Sequence, residues 1–497
     1  MAEKQMQKLA KETAIYGVSS ILGKFLNWLL VPLYTYVLTG SADYGVVANL
    51  YAWTALLLVI LTYGMETGFF RFANKHSEIS DKVYGNTLIS VGFTSLLFAV
   101  LCVVFSQQIA DVLGYSANPE YISMLGVVVA MDAFGSIPFA YLRFKSRPIK
   151  FATLKLLMIF TNIAFNIFFL VICPWLMNNA PSLIDWFYNP HYGVGYVFVA
   201  NVIQTVVVTL LLIPEALKAE FTFDLALLKK ILRYSLPLLV LGVAGIMNQT
   251  LDKILFPFLI EDPALAKSEL GIYSACFKIS MVMMMFTQAF RYAYEPFIFA
   301  QHKDKNSKAA YADAMKFFII FSLLIFLGIV FYLDIFKYII HKDYWDGLRV
   351  IPIVLFSYMF QGIFFNLSLW YKLTEQTMYG AWFSIVGAVI TVAINVIFVP
   401  IYSYMASAWA AFACYFVMMI LSYFYGQKHM RIKYNLKSIG IYSALAIGLF
   451  FISTFVNTPY LILNLVIKTF LLIIFLVYLV KTDLPLNRIP VIKRFVK

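Results

Sequence analysis

Apolar segments of the length that crosses a membrane recur from one end of this chain to the other. A helix needs about 20 mainly apolar residues to span the core of a bilayer. Short polar breaks such as Asp262-Pro263 separate fourteen such segments in the 497 residues, approximately 12–38, 44–71, 83–109, 120–143, 149–174, 193–214, 231–260, 268–300, 311–336, 347–371, 378–401, 403–427, 438–457 and 460–481. Only 13% of the residues are charged, against about 25% in soluble domains. We therefore predict an all-α polytopic membrane protein with 14 transmembrane helices and exclude an ordinary soluble enzyme.

The basic residues are distributed unevenly between the two sides that such a topology creates. If the amino terminus lies in the cytoplasm, the inside segments hold 29 Lys and Arg residues, and the outside segments hold four, Lys267, Lys337, Lys342 and Arg349. Cytoplasmic segments of membrane proteins carry an excess of Lys and Arg. This asymmetry predicts that both termini are cytoplasmic. It also accounts for the net charge of +13 without a nucleic-acid partner.

The two halves of the chain resemble each other at a nearly constant offset. Residues 17–22 and 26–32 match residues 242–247 and 251–257 at an offset of 225, and Gly45 pairs with Gly271 at an offset of 226. A repeat of six spans, an even number, enters the membrane from the same side twice, so its pseudo-twofold axis runs along the membrane normal. We predict two six-helix lobes, 1–217 and 218–434, with the two last helices and a cytoplasmic tail in 435–497. A cavity is expected between the lobes.

Three short segments carry a resemblance to a known family. They are residues 16–32, the Ala-Asp-Tyr-Gly of 42–45 and the Leu-Arg-Tyr-Ser-Leu-Pro-Leu-Leu of 232–239. They are similar to the polysaccharide-transport (Wzx-type) branch of the multidrug/oligosaccharidyl-lipid/polysaccharide exporter superfamily. The resemblance implies fourteen helices with a two-lobed core of twelve.

The resemblance also implies a function and its partners. The function is the flipping of undecaprenyl-diphosphate-linked oligosaccharide across the bacterial inner membrane, for the biosynthesis of O-antigen, capsule or exopolysaccharide. The implied partners are the lipid-linked glycan, membrane lipid, a polysaccharide polymerase and a chain-length regulator.

Polar residues inside the apolar segments form two groups at matching positions of the repeat. A charged side chain at mid-bilayer costs at least about 2.5 kcal/mol, so it needs a cavity, a partner or an edge position. The first span contributes one group and the seventh span the other, and polar residues of the eighth span recur broadly along one helical face. We predict that these residues bind substrate: Lys24, Asn27, Asn248, Gln249, Asp252, Lys253, Lys278, Gln288 and Arg291. The alternative is that Asp252 only neutralises Lys253 or Lys24 in a static pair.

Four other charged residues are candidates for a gate or for ion coupling: Glu66, Arg71, Asp132 and Glu295. For Glu66, Arg71 and Glu295 the alternative is a solvated or snorkelling helix end. Asp132 is either a proton or cation site or a buried, hydrogen-bonded acid. Lys468 in the last span either lines a path for the lipid tail or is a charge between packed helices.

No catalytic residue, metal site or cofactor is expected. The four cysteines lie inside apolar runs, the five histidines lie in loops or at their edges, and a G-x-x-x-x-G-K-[ST] motif is missing from the sequence. Flipping breaks no bond, so cations that replace the hydration of the diphosphate are sufficient. The predicted mechanism is alternating access.

Three other functions compete with this prediction. A peptidoglycan lipid-precursor flippase has nearly the same requirements. A cation-coupled drug antiporter of the same superfamily needs an acid in the first span, where this chain has Lys24. A polymerase or ligase needs a long outer loop with basic catalytic residues, but the longest outer break, 175–192, contains no Lys or Arg.

Overall fold

The computed structural model describes residues 17, 19–301, 307–456 and 458–484, without the side chains of 295–301 and 307. Helix α1 covers 19–37 with a turn at Leu29. Thirteen further helices follow it: α2 Ser41–Lys75, α3 Ser77–Val104, α4 Pro119–Phe144, α5 Pro148–Asn179, α6 Gly195–Ala216, α7 Leu225–Leu259, α8 Pro263–Tyr294, α9 Lys308–Phe331, α10 Lys342–Leu373, α11 Met378–Tyr402, α12 Tyr404–His429, α13 Leu436–Thr454 and α14 Leu461–Thr482.

In the described residues the fold is all-α and the predicted spans are present as helices, while residues 12–16 and 18 of the first predicted span lie outside those residues. Each of α2 to α14 is long and apolar enough to cross a membrane, and α1 adds the fourteenth helix of the described chain. No strand occurs in the ranges given above. Large apolar side chains such as Phe93, Leu96 and Val104 point outward and are about half exposed or more, as expected where lipid covers the surface. The polytopic all-α prediction is confirmed.

Helix α2 has an internal break whose geometry requires a glycine. Its two parts are Ser41–Thr62 and Met65–Lys75, and between them Tyr63 and Gly64 have positive φ angles of 32° and 70°. A Cβ atom on Gly64 would lie 2.7 Å from the carbonyl oxygen of Ser235 in α7. Glycine permits both the left-handed backbone and this close approach. The break therefore brings the second half of α2 against α7.

Helices α2 and α8 cross closely near their first residues. A Cβ atom on Gly45 would overlap the backbone carbonyl of Lys267, and one on Gly271 would overlap the carbonyl of Ser41. The hydroxyls of Ser41 and Ser268 are 2.6 Å apart at the same crossing. Each glycine thus lies against the backbone of the other helix. Gly45 and Gly271 occupy matching positions of the repeat, and their contact joins α2 and α8 at the end of the bundle that is predicted to face outward.

Two hydrogen bonds position the backbone beside the central lysines. Trp28 Nε1 of α1 donates to the carbonyl oxygen of Lys278 at 2.8 Å, and Asn49 Nδ2 of α2 donates to that of Lys253 at 2.7 Å. Helices of the first half of the chain thus contact α7 and α8 of the second half. The proposed boundaries at 217 and 434 remain a prediction.

The last two helices pack beside α9. Lys468 of α14 forms an ion pair with Asp334, just after α9, with Nζ 3.0 Å from Oδ2. Asp334 also accepts from Lys337 at 3.2 Å. This ion pair supports the second of the two predicted roles, a charge between packed helices. Lys468 also lines a second cavity of about 420 Å³ beside α9, α13 and α14, so a path for the lipid tail stays a prediction.

Candidate functional site

A central cavity of about 510 Å³ lies among nine helices, α1, α2, α4 to α8, α10 and α12. Its size falls in the range of about 300–1,000 Å³ found for small-molecule sites. The lining is mainly apolar and aromatic, with polar groups concentrated on α7 and α8. Six residues of the predicted site line it: Asn27, Asn248, Gln249, Asp252, Lys253 and Lys278. The ion-coupling candidate Asp132 also lines it.

Asp252 and Lys253 form an ion pair at the wall of this cavity. Lys253 Nζ lies 2.8 Å from Asp252 Oδ2, and the hydroxyl of Tyr273 in α8 donates to the same oxygen at 2.8 Å. The ammonium group also lies 3.9 Å from the ring centroid of Phe277, which is a favourable cation–π position. Both charged side chains are largely buried. The ion pair between Asp252 and Lys253, which was predicted as the alternative to substrate binding, is thus present at the cavity wall.

Lys278 lies on the same cavity without an acidic partner among the residues that the structure describes. Its cation is close enough to that of Lys253 for the two charges to repel each other. An unpaired cation within a membrane-spanning helix is costly unless water or an anion reaches it. The region around Lys253 and Lys278 therefore favours a bound anion.

Three buried oxygen atoms of the cavity lining make no hydrogen bond within the protein. They are Asn248 Oδ1, Asp252 Oδ1 and Ser274 Oγ. A buried polar atom without a partner costs about 1–3 kcal/mol, and native proteins usually satisfy such groups with water or ligand. The two oxygens on α7 lie one helical turn apart. The residues that carry these oxygens line the cavity beside the cations, but the three atoms themselves are covered from solvent in this conformation.

Three predicted binding residues do not line the cavity: Lys24, Gln288 and Arg291. Lys24 lies about one turn before Asn27 on α1, and its charge is close enough to that of Arg291 to be repelled by it. The guanidinium carbon of Arg291 lies 4.4 Å from the ring centroid of Phe365 in α10. These cations are therefore displaced from the Lys253–Lys278 region, although the sequence placed all of them in one site.

Two of the gate candidates, Glu66 and Arg71, do not line the cavity. Glu66 forms an ion pair with Arg143 of α4, and the guanidinium carbon of Arg71 lies 4.0 Å from the ring centroid of Tyr234 in α7. Arg71 thus links the two halves of the chain near the predicted cytoplasmic end. The side chain of Glu295 lies outside the described residues.

Asp132 has a charged neighbour that the sequence reading did not identify. It interacts electrostatically with Lys155 of α5 and with the hydroxyl of Thr205 in α6, and Lys155 Nζ lies 4.0 Å from the ring centroid of Phe139. Lys155 follows the basic run 143–150, so its charge was assigned to a cytoplasmic loop. Because α5 begins at Pro148, Lys155 lies inside this helix, which is the next helix along the chain after the one that carries Asp132.

Solved structures with the same fold include membrane transporters. A structure described as "Lipid II flippase MurJ, inward closed conformation" has a TM-score of 0.73 and 15% identity, over 95% of this chain and 98% of that chain. An inward-facing multidrug resistance MATE family transporter of the MOP superfamily has a TM-score of 0.64 and 14% identity, over 84% and 98%. At these identities the likeness shows the fold alone.

A third structure is a MOP superfamily transporter from Pyrococcus furiosus. Its description says that the reverse polarity of its binding pocket suggests a different function. It has a TM-score of 0.57 and 12% identity, over 84% of this chain and 95% of that chain. Pocket polarity is thus described as a distinguishing property within this fold.

A sequence-family model assigns the chain more directly. A search of curated protein sequences finds no match, but the model described as "Polysaccharide biosynthesis protein" matches residues 9–302. This match covers more than half of the chain and confirms the predicted resemblance. The chain therefore belongs to the polysaccharide biosynthesis protein family and has the fold of the MOP superfamily transporters.

Proposed function

We propose that this protein is a flippase for undecaprenyl-diphosphate-linked oligosaccharide. It moves the polar head group from the cytoplasmic to the outer leaflet of the bacterial inner membrane, and the product enters surface polysaccharide biosynthesis. No bond is made or broken, so the protein is a transporter without an enzymatic activity. Its proposed partners are the lipid-linked glycan and membrane lipid, with a polysaccharide polymerase and a chain-length regulator acting on the product.

The observation that carries this proposal is the combination of cations and unpaired acceptors in one central cavity. Lys278 has no acidic partner in the described part of the chain, and Lys253 lies beside it. A diphosphate matches these cations through charge-assisted hydrogen bonds. The unpaired oxygens of Asn248, Asp252 and Ser274 would accept from sugar hydroxyls once the side chains that cover them move, and the aromatic side chains of the lining offer flat apolar faces to sugar rings.

The close crossing of α2 and α8 described above supports alternating access. The crossing at Gly45 and Gly271 brings the backbones of α2 and α8 into contact at the predicted outer end, so the head group would enter from the cytoplasm and leave after the crossing separates. An inside-negative membrane potential assists the outward movement of negative charge by about 2.3 kcal/mol per charge per 100 mV. The prenyl tail stays in lipid throughout.

A peptidoglycan lipid-precursor flippase is the second candidate, and one observation favours it. The solved structure described as a lipid II flippase resembles this chain over 95% of its length. Both substrates present a diphosphate to the cavity, so the cationic site suits either. The family match to polysaccharide biosynthesis is the reason for ranking it second. A cation-coupled drug antiporter suits the cavity less well, because Lys278 repels a cationic drug.

The test replaces one cavity lysine in the producing bacterium and compares it with a lysine outside the cavity. At equal protein levels, Lys278→Ala is expected to reduce surface polysaccharide at least tenfold and to cause accumulation of the lipid-linked precursor. Lys468→Ala is the matched control, because Lys468 is also intramembrane but pairs with Asp334. Unchanged export in Lys278→Ala would refute the proposed site, and normal export with lost peptidoglycan synthesis would favour the second candidate.

A further inference from the structure

The ion pair between Asp252 and Lys253 joins two consecutive residues of one helix. Side chains of consecutive helical residues point about 100° apart and do not face each other. The pair therefore forms only because the long side chain of Lys253 bends back, which also places Nζ 3.5 Å from the carbonyl oxygen of Gln249. A lysine has four rotatable bonds and three donors, so other positions are open to it.

Asp252, in contrast, is held by a second group. The hydroxyl of Tyr273 donates to the oxygen that Lys253 contacts, at 2.8 Å. Asp252 Oδ1 makes no hydrogen bond. The carboxylate thus keeps a donor when Lys253 leaves, and the lysine is the partner that moves.

The charges of the cavity lining show what an arriving anion would find. Two cations, Lys253 and Lys278, are balanced by two acids, Asp132 and Asp252, so the lining has no net charge. Only Lys278 is immediately available, since Asp252 holds Lys253. A diphosphate carries at least two negative charges and needs more than one cation in a cavity of low dielectric constant.

We propose that Asp252 competes with the substrate's diphosphate for Lys253. Asp252 holds Lys253 while the cavity is empty and releases it when the anion binds. The inference rests on the proposed function and adds a role for an acid in an anion site. In the occupied cavity Lys253 and Lys278 clamp the diphosphate together. When the substrate leaves, Asp252 recaptures Lys253, so the competition weakens binding and promotes release at the outer face.

The test measures binding of farnesyl diphosphate, a short-chain prenyl diphosphate, to the purified full chain by titration calorimetry. Asp252→Asn is expected to bind it about tenfold more tightly, the size expected when one competing charge-assisted hydrogen bond is removed. In the Lys253→Gln background, the same change is expected to raise the affinity by at most about twofold, the size of a general field effect, because the lysine for which Asp252 competes is missing. Asp252→Ser repeats the test with a second side chain in case the amide disturbs folding.

Asp132→Asn is the matched control, because it removes one negative charge from the same cavity but from a residue that does not hold Lys253. Its gain in affinity for the probe is expected to be at most about twofold and to persist in Lys253→Gln, because removing any negative charge from the cavity weakens the repulsion of an anion slightly. Equal gains in affinity for the two asparagine variants, or an about tenfold gain of Asp252→Asn that persists in full in Lys253→Gln, would overturn the competitor role.

The proposed function has a separate outcome in the same experiment. If Lys278→Ala abolishes binding while Asp252→Asn leaves it unchanged, the competitor role fails and the anion site stands. If the wild-type chain does not bind the probe, or Lys278→Ala binds it equally well, the anion site fails and the competitor role fails with it.

Discussion

Lys278 is the residue on which the functional argument depends most. It lies on a membrane-spanning helix, and its backbone is fixed by Trp28. In the same half of the chain, Lys468 also lies within the membrane but has Asp334 as a partner. The contrast separates two uses of an intramembrane lysine. A paired one joins helices, whereas an unpaired one beside a polar cavity is available to a ligand.

Glu215 makes a different prediction, which concerns stability. Its side chain is fully buried at the end of α6 and lies 2.5 Å from Lys150 Nζ, 2.7 Å from Lys218 Nζ and 3.5 Å from Arg147. Glu215→Gln is expected to lower the free energy of unfolding by about 2 kcal/mol, because the buried side chain loses the negative charge that strengthens its hydrogen bonds to these cations. Thermal unfolding in detergent would measure this loss.

Asp81→Asn is the control for this measurement. Asp81 also pairs with a lysine, Lys145 at 3.2 Å, but its side chain is 52% exposed. Exposed pairs contribute at most about 1 kcal/mol, so this variant is expected to unfold close to the wild-type temperature. A loss in Asp81→Asn as large as that in Glu215→Gln would contradict the assignment of stability to burial.

Single residues show clearly what the sequence could and could not predict about the site. Asp252, Lys253 and Lys278 were identifiable because charges are rare and costly in apolar segments. The contact of Tyr273 with Asp252 was not, since hydroxyls are common in such helices and the contact depends on how α7 packs against α8. Lys155 was missed because it was counted with the cytoplasmic basic run 143–150, although it lies within the predicted fifth span, 149–174.

At the scale of elements, the crossing of α2 and α8 is expected to be the outer gate. The hydroxyls of Ser41 and Ser268 are 2.6 Å apart, so cysteines at both positions are expected to form a disulfide under mild oxidation. Since the crossing must separate to release substrate, the oxidised Ser41→Cys/Ser268→Cys variant should lose export, and reductant should restore it. Full export by the oxidised protein would show that this crossing does not open.

The glycines of the crossing give a second prediction. A Cβ atom on Gly45 has no space beside the carbonyl of Lys267, so Gly45→Ala is expected to push the two helices apart. Disulfide formation between cysteines at 41 and 268 should then slow at least several-fold. Gly440→Ala in α13 is the control, because nothing lies within 4 Å of its added Cβ atom. Equal rates in both backgrounds would contradict the steric account.

At the scale of the whole molecule, the membrane topology is a prediction from the distribution of Lys and Arg. Ser182, between α5 and α6, and Ser77, the first residue of α3, are both exposed. In intact cells, a membrane-impermeant thiol reagent is expected to label Ser182→Cys and not Ser77→Cys, with the reverse in inside-out vesicles. The four natural cysteines are buried and should give little background. The opposite labelling pattern would show that the topology is the reverse of the predicted one.

The overall architecture was largely predictable, whereas its closed state was not. Apolar segments of 20 residues have few folding solutions in lipid, so the helices could be derived from composition and spacing. The offset between Gly45 and Gly271 indicated a repeat. The sequence did not reveal that these two glycines touch, because contact between repeats depends on which end of the bundle is closed, and one chain adopts several such states.

The most direct test of the central claim measures flipping itself. Purified protein is reconstituted into vesicles with a fluorescent prenyl-diphosphate-linked glycan, and the fraction that a membrane-impermeant quencher reaches is followed over time. Wild-type protein and Lys468→Ala are expected to expose the inner-leaflet glycan to the quencher, while Lys278→Ala leaves about half of it protected, as in protein-free vesicles. Flipping by Lys278→Ala at the wild-type rate would contradict the claim that the cavity cation binds the diphosphate during transport.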